Sequence, residues 1–92
     1  MPRPTEEQLS YQRRTVRLCQ IAQAVVTRHN RLDTVTLDDG AVSMLPDSAD
    51  HKLRIPTGAA NADVLILGHW FRDPDFYRSA IEATVEGAFA GQ

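Results

Sequence analysis

The first thirty residues repeat apolar positions with a helical period. At about 100° per residue, Tyr11, Thr15, Leu18, Ala22, Val25, Val26 and His29 fall within an arc of about 100°, the width of a core-facing stripe. Pro4, followed by Glu6 and Glu7, suits the positive end of a helix dipole. A helix is therefore predicted from near Thr5 to about Asn30. The pattern then switches to alternation in "TVTLDDGAVSML", where Asp39-Gly40 suits a type I′ turn because both central positions need positive φ. The register that follows sets Asp38 against Ala41, Leu37 against Val42, Thr36 against Ser43 and Val35 against Met44. Val35, Leu37, Val42 and Met44 then share one face.

"PDSAD" at 46–50 reads as a connector, and "HKLRIP" alternates again until Pro56 stops it, predicting a short strand at 51–55 that Pro56 marks as an edge. The run "NADVLILGHWF" is apolar without a decisive period. Asn61 as cap and Asp63 in the first turn favour a helix over 62–71, with a fourth strand as the alternative. Asp73 and Pro74 then start a last helix, expected to run to about Glu86 and to close at Gly87. These elements predict an α+β fold in a single small domain spanning 1–92. It has a long N-terminal helix, a three-stranded antiparallel sheet (hairpin 34–45 plus strand 51–55), then two C-terminal helices.

Composition narrows the class. Ninety-two residues at 42% apolar suffice for one modest core, burying roughly 60 to 65% of the unfolded surface. The longest aliphatic run, Val64 to Leu67, is far short of the ~18 residues that a membrane span needs, and "MPRPTEEQLS" holds no apolar signal segment. Cys19 is the sole cysteine, so no internal disulfide forms and a cytoplasmic location is expected.

The net charge of −2 hides a polarity. Residues 1–31 carry six Arg against two Glu, whereas 32–92 carry four basic and ten acidic residues. On the first helix Arg13, Arg17, Arg28 and Arg31 lie within about 60° of one another, nearly opposite the apolar stripe, with Arg14 beside them. They form a ridge roughly 27 Å long at 1.5 Å per residue. It reads either as a solvated face or as a docking edge. The use of Arg without Lys or interleaved acids favours bidentate contact with carboxylate or phosphate. Asp75, Glu82 and Glu86 share one side of the last helix, a second solvated face or a surface that meets a basic groove. Ile66 and Trp70 project from the opposite side of the helix expected at 62–71. Either the last helix covers them through Tyr77, Ile81 and Val85, or Trp70 is an aromatic anchor for a partner.

Catalysis finds little support. Cys19 and His29 are about 15 Å apart on one helix. Asp50-His51 and His69 with Asp73 match no catalytic spacing, the His and Cys positions match no zinc pattern, and Gly40, Gly58 and Gly68 form no phosphate loop. A non-enzymatic protein without cofactor or metal is expected.

Two resemblances bear on the partner. The order helix, three strands, helix over roughly 10–72 resembles the double-stranded RNA-binding domain. That family places a lysine cluster at the start of its last helix, where this chain has "NADVLILGHW", with one acid and no base. The hairpin "TLDDGAV" at 36–42 and the acid-led apolar helix "ADVLILGHW" expected at 62–70 and ending in Trp resemble the phage-encoded anti-CRISPR proteins that inhibit type I effectors. That resemblance implies a docking inhibitor of a bacterial ribonucleoprotein complex, acting in the host cytoplasm. The expectation is thus a binding protein that uses Arg13, Arg14, Arg17, Arg28, Arg31 and Trp70 on a protein or ribonucleoprotein. Direct binding of nucleic acid through the same arginines is the second reading, and a small homodimer is the third.

Overall fold

The computed structural model describes residues 3–38, 50–58 and 60–90. Six elements follow in order: helix α1 (Glu6–Arg28), strands β1 (Thr36–Asp38), β2 (His51–Pro56) and β3 (Asn61–Ile66), and helices α2 (Gly68–Arg72) and α3 (Arg78–Ala90). The strands form one antiparallel sheet in the order β1-β2-β3. The α+β class, with a long first helix, three antiparallel strands and C-terminal helices, is therefore present.

α1 starts where local chemistry says it should. Thr5 is the N-cap and accepts from the Gln8 amide at 3.1 Å, while Gln8 returns a side-chain acceptor to the Thr5 amide at 2.8 Å, a capping box that satisfies two otherwise orphan donors. Its end is equally defined. Asn30 adopts φ 60°, its N–H donates to the Thr27 carbonyl at 2.9 Å and the Arg31 N–H to the Val26 carbonyl at 3.2 Å, a Schellman motif. The helix thus stops at Arg28, two residues before the expected limit.

Its buried face is Tyr11, Leu18, Ile21, Ala22, Val25 and Val26. Ile21 lies outside the predicted stripe and is buried as well. His29, placed in that stripe, is instead exposed at the C-cap.

The sheet assigns its residues by pairing. β1 meets β2 through Thr36–Arg54, Leu37–Leu53 and Asp38–Lys52, and β2 meets β3 from His51–Ile66 to Pro56–Asn61. Leu53, Ile55 and Ile66 are fully buried against the helices, whereas Lys52, Arg54 and Asp63 face outward. Alternation of this kind is what a sheet covered on one side requires.

Four expectations need correction here. Residues 61–66 are a strand, and only 68–72 of the segment expected as a helix over 62–71 are helical. A helix there would carry apolar groups on all sides. As a strand it turns Val64 and Ile66 inward opposite Leu53 and His51, and places Asp63 3.3 Å from Arg54. Tertiary pairing thus overrides the capping signal of Asn61.

β2 is central rather than an edge. β1 extends only to the level of Arg54, so Pro56, the last residue of β2, is not asked for a ladder N–H on that side. The third strand is accordingly 61–66, and the expected second hairpin strand at 41–45, with its register to 34–38, lies outside the described residues.

α3 begins at Arg78, one turn later than expected. Asp73 does cap, its carboxylate accepting from the Phe76 amide at 3.3 Å, but what it caps is a turn over 74–77. The helix also passes through Gly87 to Ala90, because Phe89 beyond the glycine packs against the core. Of the two places left open for Trp70, the structure shows it half-buried against the same core, while Phe71, from the same short helix, is fully buried.

Candidate functional site

The arginine ridge of α1 does not stand alone. Arg17 Nε donates to Asp75 Oδ1 at 2.7 Å, and Arg28 Nη2 donates to Glu82 Oε2 at 3.2 Å and lies 3.8 Å from Glu86 Oε1. Glu86 Oε2 is also 2.8 Å from His29 Nε2, and Arg78 pairs with Glu82 along α3 at 3.4 Å. The acidic side predicted for the last helix therefore meets this chain's own basic side. Along α1, Arg28 lies eleven residues beyond Arg17, roughly 16.5 Å of helix rise; Arg17 meets Asp75 in the turn before α3, and Arg28 meets Glu82 and Glu86 on α3 itself. The order of these pairs has α1 and α3 running in the same direction.

The remaining arginines go elsewhere. Arg14 is half-buried; its Nε donates to the Ser10 carbonyl at 3.3 Å and its guanidinium carbon lies 5.1 Å from the centre of the Phe71 ring, a cation–π contact. Arg31 leaves the ridge entirely, since the chain reverses at Asn30, and its guanidinium lies against Gly58 in the turn after β2. Arg13 is exposed, and among the described residues it faces no carboxylate at ion-pair distance. The helical wheel grouped four residues that the fold sends to three places.

Trp70 belongs to a surface the sequence reading did not assemble. Its ring is 6.1 Å from that of His69, His69 is 5.1 Å from Tyr77 and nearly perpendicular to it, and Tyr77 is 4.9 Å from Phe76. Phe76 is 77% exposed. Each contact is edge to face, the arrangement that aromatic quadrupoles favour. Asp75, next to Phe76, is the partner of Arg17, so the ion pair fastens this aromatic edge to α1 one helical turn from Arg13. The signal available in the sequence was Phe76-Tyr77 directly after the Asp73-Pro74 turn. Reading those residues as the interior of a helix concealed it.

Chemistry beyond contact is sparse in what is described. Among the described residues no three His, Cys, Asp or Glu gather around a common point that suits a metal ion. Cys19 is half-buried and packs against the core, and that burial pushes its thiol above the ordinary value of 9.0. Its thiolate is disfavoured, the opposite of what a nucleophile requires. Among the described residues no helix is long and apolar enough to cross a membrane. No protein-family model, no curated protein and no solved structure matches the chain.

Proposed function

We propose that this chain is a small, non-catalytic binding protein that docks onto a protein or ribonucleoprotein partner, with the aromatic edge of Trp70, His69, Tyr77 and Phe76 and the neighbouring Arg13 as its contact surface. The observation that carries the reading is Phe76: a ring left 77% exposed at the end of a chain of edge-to-face aromatics. Burying such a ring on a partner returns about 1.5–3 kcal/mol, and Trp, Tyr and Arg are the residue types that dominate binding energy at interfaces. Arg17 and Arg28 become structural in this reading, since Asp75, Glu82 and Glu86 already hold them.

The same ion pairs weigh against the rival readings. Phosphate binding along the whole ridge would have to displace Asp75 from Arg17, and Glu82 and Glu86 from Arg28. Head-to-tail association of copies through opposite ends loses its basis when those ends meet within one chain. The narrower form of the proposal, inhibition of a bacterial nucleic-acid-targeting complex in the cytoplasm, rests on the sequence resemblance at 36–42 and 62–70 alone, of which 62–66 belongs to strand β3 and not to the expected helix.

The test is capture from a bacterial lysate on immobilised wild type, Phe76→Ala, Arg13→Ala and Arg28→Ala, followed by binding of the purified partner to each. Phe76→Ala and Arg13→Ala are expected to weaken binding at least tenfold, with Arg28→Ala within about twofold of wild type, as a fully surface-borne contact implies. Equal affinity of wild type and Phe76→Ala overturns the assignment. Binding of free duplex with a log K slope near −3.6, from four phosphate contacts at roughly −0.9 each, overturns it in favour of nucleic acid.

A further inference from the structure

A cleft of about 310 Å³ opens between the C-terminal ends of α1 and α3 and the turn that joins β2 to β3. His29, Arg31, Thr57, Glu86, Phe89 and Ala90 line it. Its volume is at the small end of the range that holds organic ligands.

One wall is flat and largely apolar. The His29 ring stacks on Phe89 with centroids 4.0 Å apart and planes within 3°. Glu86 holds that stack from the side through His29 Nε2 at 2.8 Å, and its other oxygen faces Arg28 at 3.8 Å, so its charge is already matched by neighbours.

Arg31 is in a different position. It lines the cleft, and among the described residues it has no carboxylate at ion-pair distance. The backbone gives it room there. The Schellman turn at Asn30 aims it away from α1, and Gly58, at φ 101°, leaves room for the guanidinium where a Cβ would fall 2.4 Å from Arg31 Nη2. A planar fork lining the same cleft as a flat apolar wall is suited to an anion with a planar body.

The carbonyl end of α1 adjoins the cleft, so the site opposes a doubly charged group such as a phosphate monoester while one arginine balances a single charge. We propose that this cleft binds a small organic monocarboxylate with a flat apolar body, the carboxylate held by Arg31 and the body laid along Phe89 and Ala90. This site is separate from the aromatic edge, and its occupancy does not depend on the docking reading.

The experiment is an amide ¹H–¹⁵N titration of the full chain with benzoate, its neutral isostere benzamide, and inorganic phosphate. Benzoate is expected to give saturable shifts confined to amides near Arg31, Gly58 and Ala88 to Ala90, with a Kd on the order of 1 mM for so small a ligand. Benzamide and phosphate are each expected to bind at least tenfold more weakly. Arg31→Gln should lose benzoate binding with the remaining spectrum intact. Arg31→Lys, which keeps the charge and loses the fork, should weaken it severalfold and serves as the readout where Arg31→Gln does not fold. Linear, unsaturated shifts with benzoate, equal response to benzamide, competition by phosphate at equal concentration, or unchanged binding by either Arg31 variant each overturn the proposal.

Discussion

Arg17 and Asp75 sit 58 positions apart in sequence, yet the guanidinium Nε donates to the carboxylate at 2.7 Å and ties the turn before α3 to the middle of α1. The two side chains are 38% and 63% exposed, so water and salt screen the pair. Pairs of this kind contribute at most about 1 kcal/mol. A double-mutant cycle with Arg17→Ala and Asp75→Ala is expected to give a coupling of about 0.3–1 kcal/mol at low salt, falling towards zero near 1 M salt, where the screening length is about 3 Å. Coupling that persists undiminished at high salt would show that packing, not charge, joins these residues.

Asn30 makes a sharper prediction because its backbone lies at φ 60°, a region that costs an ordinary side chain roughly 1–2 kcal/mol. Asn tolerates it through local hydrogen bonding and Gly tolerates it freely. Asn30→Ala should therefore destabilise by about 1 kcal/mol, while Asn30→Gly should be neutral or slightly stabilising. Urea denaturation midpoints at constant m check both. An Ala variant as stable as wild type would mean the Schellman turn is absent in solution.

How far the sequence revealed this molecule depends on whether the deciding partner was local. The start of α1 was legible because Thr5 and Gln8 satisfy each other within four residues, and Tyr11 to Val26 carry the helical period of the buried face. The fate of 61–66 was not. Asn61 and Asp63 are good helix-start residues, and what defeats them is β2, through pairs such as Leu53–Val64 that no local pattern announces. The arginines show the same limit in another form. A wheel describes one helix and treats its far side as solvent, so Arg17 and Arg28 looked outward. The turn before α3 and α3 itself come back onto that flank, where Asp75 pairs with Arg17 and Glu82 with Arg28. Arg31 was misplaced because the wheel was continued past Asn30, where the helix has already ended.

Cys19 gives a prediction with a sign. Burial raises its thiol, so the folded chain holds that proton more tightly than the unfolded chain does. Folding stability from this group is then full below the ordinary value of 9.0 and declines as pH rises through it towards the raised folded value. At pH 7 a thiol-specific reagent should modify the native chain at least about tenfold more slowly than the chain in denaturant, since the thiolate is the reacting form. Native labelling as fast as that of a free thiol would place Cys19 at the surface with an ordinary proton affinity.

Phe71 and Phe76 separate stability from recognition. Phe71 is fully buried, with its ring 4.2 Å from His51, 5.3 Å from Tyr11 and beneath the Arg14 guanidinium, whereas Phe76 meets Tyr77 along one edge and otherwise faces out. Truncating a buried Phe costs about 3–5 kcal/mol, a large fraction of the ~5–15 kcal/mol that holds a domain together. Phe71→Ala should therefore unfold much of the population or lower the midpoint severely. Phe76→Ala should change stability by no more than about 0.5 kcal/mol, because little of its surface leaves water on folding. If the aromatic edge is the docking surface, Phe76→Ala keeps the thermal midpoint of wild type and loses the partner. A Phe76→Ala chain that is both markedly less stable and unchanged in binding would make Phe76 a packing residue and return the contact surface to another part of the molecule.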